Sequence, residues 1–260
     1  MTIRPGLCSV TFRQLDPAAI SALAASAGLQ AIEWGGDVHV PPGDAARAAE
    51  VARITADAGL AVASYGSYFR ADPAEDIAPI LDSAAALGAD RIRVWAGRIG
   101  SADATAAGRA ATIDALASAA EQAGRRGISL ALEFHGRTLA DDAEQTLRVL
   151  DDVASPHLST YWQPTVAASD AAAVAEYARI ADLVSAVHVF SWWPATERLP
   201  LTARDGLWRA FFAAAAAAPA PPRDALLEFV PDDDPAALAA ESVALRGYLS
   251  AGMSRTMLGA

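Results

Sequence analysis

Eight short apolar runs alternate with helix-like segments along this chain, and that alternation limits the fold more than any single motif. The clearest run is Ile128-Ser129-Leu130-Ala131-Leu132-Glu133-Phe134-His135, bounded by Gly127 and Gly136. It reads as a strand buried on both faces, because exposure of one face would impose polar alternation. An acid at its C-terminal end has no packing reason to be there. Comparable runs at 29–36, 184–190 and 225–230 carry Glu33, His188 and Glu228. Four strands therefore each deliver an ionisable or metal-binding group at the same end.

The other strands are expected at 6–10, 60–65, 91–95 and 157–162. Helices are expected from Asp16-Pro17, Asp44, Pro73, Thr105, Asp141, Asp170, Asp205 and Pro235, most of them opened by a capping side chain or a proline in the first turn. Strand–helix units repeating about every 25 to 40 residues fit the closed (β/α)8 barrel, the TIM barrel of the α/β class, which takes roughly 250 residues. An open doubly wound sheet would need a glycine-rich phosphate turn after its first strand, and residues 6–11 offer none. No linker or break in composition interrupts the chain, so residues 1–260 read as one domain.

A formal net charge of -11 excludes a phosphate-backbone partner, which needs a clustered basic face, and disfavours anionic membranes. No apolar run reaches the roughly 18 residues of a membrane helix. The single cysteine, Cys8, forms no intramolecular disulfide, and residues 1–5 lack a signal peptide's apolar region; the expected location is cytoplasmic.

In a parallel barrel the strands' C-terminal ends converge on the active site. Glu33, Glu133, His188 and Glu228 fall there, and Gln163 follows the sixth strand. Carboxylates facing one another in a barrel mouth repel and take up protons unless a cation lies between them. A divalent metal resolves this. Oxygens of Glu133, Glu228 and Gln163 with the His188 imidazole suit Mn²⁺ or Mg²⁺, with Zn²⁺ or Co²⁺ as alternatives.

The Leu-Glu-Phe-His strand, the His-Val-Phe strand, the Glu-Arg-Leu-Pro segment at 197–200 and the Leu-Glu-Phe-Val strand resemble the xylose isomerase-like TIM-barrel superfamily of sugar isomerases, epimerases and inosose dehydratases. The resemblance follows strand order along essentially the whole chain. Members similar to tagatose epimerase hold one divalent metal with residues that become Glu133, Gln163, His188 and Glu228 here. The resemblance casts Glu133 and Glu228 as the pair that removes and returns a proton next to a carbonyl. It also matches Arg198 to an arginine that reaches substrate oxygens. Glu33, His39, Tyr65, Trp95 and His135 lie at or just beyond strand ends as candidate polyol contacts, and Trp162 and Trp192 as flat walls for a sugar. Trp193 is a further candidate wall.

Two departures stand out. Gln163-Pro164-Thr165-Val166 replaces the usual Asp-Pro-x-His, and His188-Val189-Phe190-Ser191 replaces His-x-Lys-Asp. An amide in place of a carboxylate weakens metal binding. Three readings follow: a metal-dependent isomerase or epimerase acting on a ketose or cyclitol, a dehydratase of an inosose-like ketone, and a metal-depleted barrel that binds carbohydrate without turnover. The apurinic endonucleases share the barrel but use three zincs and many histidines, whereas this chain has four histidines. The resemblance further implies a small-molecule sugar or polyol partner and a homo-oligomer.

Overall fold

The computed structural model describes residues 3–219 and 222–258. Eight parallel strands close into a barrel: β1 Arg4–Cys8, β2 Ala31–Gly35, β3 Ala61–Gly66, β4 Arg91–Val94, β5 Ser129–Leu132, β6 Leu158–Trp162, β7 Val184–Val189 and β8 Asp224–Leu227. Each strand pairs with its neighbours in sequence, and β8 closes on β1 with Gly6 opposite Leu226. The surrounding helices are α1 Pro17–Ser26, α2 Ala45–Asp57, α3 Ala78–Leu87, α4 Ala106–Gly124, α5 Ala143–Val153, α6 Asp170–Ile180, α7 Asp205–Ala217 and α8 Leu238–Leu258. Among the described residues no helix is long and apolar enough to cross a membrane.

Local chemistry sets most helix starts. The side chains of Asp16, Asp44, Thr105, Asp142 and Ser169 each accept a backbone N–H from the first turn of α1, α2, α4, α5 and α6. Expected boundaries shift at several places. β1 begins at Arg4 and gives way to a 3-10 turn at Ser9–Phe12, because the chain must bend into the barrel mouth there. α3 begins at Ala78 rather than Pro73, the intervening residues forming turns held by Glu75 and Asp72. The long loop after β7 folds into a hairpin of Ser191–Trp192 with Arg198–Leu199, followed by a 3-10 turn at Leu201–Arg204.

Strand alternation divides the core in two. Ile32, Trp34, Tyr65, Ile92, Val94, Leu130, Leu132, Trp162, Val187 and Leu227 face the helices and join the main core. The opposite parity lines the barrel axis, where Cys8, Ala31, Ala63, Ala131, Ala186 and Leu226 surround Tyr161 in a separate small cluster. The small side chains leave room on the axis for Tyr161 and for two arginines of β4, Arg91 and Arg93, both buried. Arg91 turns to the barrel floor, where its Nη2 meets Asp224 at 2.6 Å; Arg4 and Arg223 reach the same carboxylate at 2.7 and 3.1 Å.

Candidate active site at the barrel mouth

Two residues beyond Arg91, Arg93 points to the other end. Its Nη1 donates to Glu133 Oε2 at 2.7 Å, and its Nε lies 3.9 Å from Glu33 Oε1. Trp95 Nε1 donates to the same Glu133 oxygen at 2.6 Å. The guanidinium is only 3% exposed, with Trp95 and Tyr68 rings flanking it at 4.8 and 5.6 Å. Burial opposes its charge, yet Glu133, Glu33 and Glu228 outweigh burial and hold its pKa above the ordinary arginine value.

His188 lies fully buried between two layers of acceptors. Below it, Nε2 is 3.3 Å from Glu33 Oε1, a carboxylate that also accepts from Ser64 Oγ at 2.7 Å. Above it, Nδ1 faces Gln163 Oε1 at 3.1 Å and Glu228 Oε2 at 3.5 Å. The Tyr161 ring meets the imidazole edge-on at 5.1 Å and fixes its plane. Burial lowers the His188 pKa, but the carboxylates of Glu228, Glu33 and Glu133 win and push it up to about 9. For Glu33, burial is likewise overcome, by His188, Arg93 and Ser64, and its carboxyl is held well below the usual range. Glu228 goes the other way: burial, with Glu133 and Glu33 adding, outweighs His188 and Arg93 and lifts it to about 7.

The donor chemistry of the upper layer fits a cation. Nδ1 of a neutral imidazole, an amide oxygen and a carboxylate oxygen all carry lone pairs, so their convergence needs a proton on Nδ1, a Gln163 amide turned to offer its N–H to Nδ1, or a divalent ion among them. Glu133 lines the same cavity, with its Oε2 committed to Arg93 and Trp95. Among the described residues, Cys8, Glu33 and His188 form a lower set with donor atoms all within 4.8 Å of one another. That set suits a metal poorly. A sulfur ligand suits Mn²⁺ or Mg²⁺ poorly, and Arg93 already brings a positive charge to Glu33.

A cavity of about 530 Å³ opens above these groups, reached by Arg93, Glu133, Gln163 and Glu228 from below. Trp95, Tyr68, Phe190, Trp192 and Phe229 form its walls, and Arg13, His135 and Arg137 its rim. The backbone of Phe229 and Arg137 adopts positive φ of 55° and 62°, a conformation that costs a non-glycine residue about 1 kcal/mol or more and is concentrated at functional sites.

The structure brings Trp95, His135 and Trp192 to this cavity and takes other sequence-selected residues elsewhere. Glu33 sits a layer beneath, under His188. Trp162 lies between Tyr161 and Gln163 with the opposite strand parity and is buried among the helices, stacked on Phe211 at 4.6 Å. Tyr65 also faces outward, its hydroxyl donating to Val40 O at 2.7 Å. His39 is buried in its loop, held by Ser9 Oγ at 3.0 Å and Leu15 O at 3.2 Å and packed on Trp34. Arg198 pairs with Asp233 and lies over Phe229, behind the cavity wall. Trp193 is 39% exposed, with Arg204 over its ring. Sequence reasoning passed over Arg93 and Ser64. The available signal was the Arg-Ile-Arg-Val alternation of β4, two charges at strand spacing inside a barrel, where each needs a buried partner.

A family model described as xylose isomerase-like TIM barrel matches residues 21–245. The chain belongs to that family. Among solved xylose isomerase-like and related barrels, the structure is similar to a probable 3-DHS dehydratase of petrobactin synthesis from Bacillus anthracis, with TM-score 0.79 and 18% identity over 94% of this chain and 99% of that one. It is also similar to an L-ribulose 3-epimerase, with TM-score 0.71 and 19% identity over 99% and 96% of the two chains. A third is a xylose isomerase-like TIM barrel protein from Mycobacterium smegmatis in complex with magnesium, with TM-score 0.74 and 15% identity over 97% and 98%. At these identities the similarity establishes the fold. No curated protein sequence matches the chain.

Proposed function

We propose that this protein is a divalent-metal-dependent isomerase or epimerase that moves a proton at the carbon next to the carbonyl of a ketose or cyclitol. The observation that carries the reading is the meeting of Glu133, from the end of β5, and Glu228, from the end of β8, in one cavity, over His188 and Gln163. The chain contains no lysine, all 20 of its basic residues being arginines, so it cannot activate a carbonyl as a lysine imine.

Glu133, Gln163, His188 and Glu228 are the residues that would hold the metal. When bound, the metal would polarise the substrate carbonyl and stabilise the negative charge that develops on its oxygen. Glu228 is the proton acceptor: its carboxyl is buried beside His188 and opens onto the cavity where the substrate carbon would lie. The C–H electron pair passes into the carbonyl as the proton leaves. Glu133, fixed by Arg93 and Trp95, passes a proton taken from solvent to the opposite face of the carbon, so that one proton leaves to Glu228 and one is returned. The aromatic walls take the C–H faces of the sugar and exclude water.

One observation favours the dehydratase as the second reading. His135 Nδ1 donates to Gly136 O at 2.6 Å, and among the described residues Nε2 of this cavity-rim imidazole has no hydrogen-bond partner, so it can take a proton from solvent and pass it to a departing β-hydroxyl. Incubation with ketoses and inososes plus Mn²⁺ in D2O separates the two. Isomerisation puts deuterium on the carbon next to the carbonyl with no loss of water, while dehydration yields an unsaturated carbonyl absorbing in the ultraviolet. Absence of both overturns the enzymatic reading, and turnover undiminished by Glu133→Gln and Glu228→Gln overturns the role given to these two residues.

A further inference from the structure

The deepest acid of the mouth, Glu33, neither lines the cavity nor lies among the four predicted metal ligands, yet it is buried like Glu133, His188 and Glu228, while Gln163 is half-buried. Its surroundings are specific. Ser64 Oγ donates to Oε2 at 2.7 Å, and Arg93 Nε stands 3.9 Å from Oε1. Gly66 on β3 leaves space for both partners, since a Cβ there would lie 3.0 Å from Glu33 Oε1 and 3.2 Å from Arg93 Nη2. So held, Oε1 sits 3.3 Å beneath His188 Nε2. The N–H there is not aligned for a strict hydrogen bond, and no other acceptor among the described residues serves Nε2.

An imidazole presents one ring nitrogen as ligand only if its other nitrogen carries the proton, and a buried carboxylate at that second nitrogen decides which is which. We propose that Glu33 is a positioning residue that keeps the proton of His188 on Nε2 and thereby reserves Nδ1 for the cavity, facing Gln163 and Glu228. Ser64, Arg93 and Gly66 serve the same end by fixing Glu33. The inference rests on the reading of His188 as a ligand, and it assigns to Glu33 a role that never involves touching the substrate.

The test uses the whole chain in two measurements. In metal-free protein, at a pH high enough that the ring's ¹⁵N shifts no longer move with pH, spectra of labelled histidine report the tautomer of His188. Wild type is expected to show the Nε2–H form alone, Glu33→Leu to lose it, and Glu33→Gln to keep it with the Nε2 proton shifted upfield, because an amide is a weaker acceptor than a carboxylate. In Mn²⁺ titrations followed by electron paramagnetic resonance, Glu33→Leu is expected to weaken binding by about 10- to 100-fold and Glu33→Gln by less. A wild-type tautomer in Glu33→Leu overturns the proposal. If that variant fails to fold, an unmoved Nε2 proton in Glu33→Gln does so equally. Should wild type bind no Mn²⁺ while the tautomer still follows residue 33, the positioning role stands and the metal reading falls.

Discussion

At the floor of the barrel one carboxylate, Asp224, is gripped by three guanidiniums, Arg4, Arg91 and Arg223, whereas at the mouth one guanidinium, Arg93, faces three carboxylates, Glu33, Glu133 and Glu228. The floor is closed by its own bonds: Arg91 also reaches Ser185 O at 2.8 Å, and Arg223 reaches Asp90 and Ala63 O. The mouth is left short of positive charge, with oxygens of Gln163 and Glu228 converging on His188 Nδ1, although an unpartnered Nε is common to Arg91 and Arg93. One end is built to be stable. The other keeps its electrostatic demand open toward a cavity, which is the condition for binding a cation or stabilising a developing charge.

This contrast breaks first, if it breaks, at the floor. Asp224→Ala is expected to destabilise the fold by about 3–5 kcal/mol, because it strands a buried guanidinium, and to leave the activity of the folded fraction nearly unchanged. Urea denaturation together with activity per folded molecule measures both; a loss under 1 kcal/mol would make the floor network ornamental. At the mouth the pattern should invert. Glu228→Gln is expected to lower kcat by about 10² to 10⁴ with little loss of stability, as befits a proton-transfer residue, and steady-state kinetics beside denaturation would show it.

Saturating metal supplies the next effect. Mn²⁺ at about 100 times its Kd should raise wild-type stability by roughly 2.7 kcal/mol, and His188→Ala should abolish the gain while Asp224→Ala leaves it intact. The smallest effect is on pH dependence. Glu228, lifted to about 7 in the metal-free fold, contributes stability below its ordinary value of 4.5 that is lost as pH rises through 7. His188, raised to about 9, contributes stability below 6.5 that is lost as pH rises through 9. With EDTA present the urea midpoint should therefore fall from pH 5 to pH 9, by at most about 1.4 kcal/mol per pH unit for each proton released. Glu228→Gln should flatten the part between pH 5 and 7, and a midpoint that rises across this range would contradict the arrangement.

How much of this could be read in advance depended on the range of the signal. Glu133, His188 and Glu228 were legible because each interrupts the end of an apolar run, a local anomaly. The eight-fold alternation fixed the barrel for the same reason. Trp162 and Tyr65 misled because proximity to a strand end was weighed without parity: Tyr161 and Trp162 are adjacent, and only one of two adjacent residues can face the axis. Arg93 was hidden for a different reason, since its partners Glu33 and Glu133 lie 60 and 40 residues away in sequence and meet it only when the barrel closes. His39 is a loop residue whose hydrogen bonds go to its own neighbourhood, a satisfaction no residue pattern announces.

Arg91 and Arg93 stand two places apart on β4, with Ile92 and Val94 between and beyond them facing the helices. A fourth strand docked one residue out of step would drive both charges into the greasy mantle around the barrel and leave the acids at either pole stranded together. Correct closure is thus checked electrostatically at top and bottom by a single strand, which makes the arginine of the mouth and the arginine of the floor two halves of the same assembly lock.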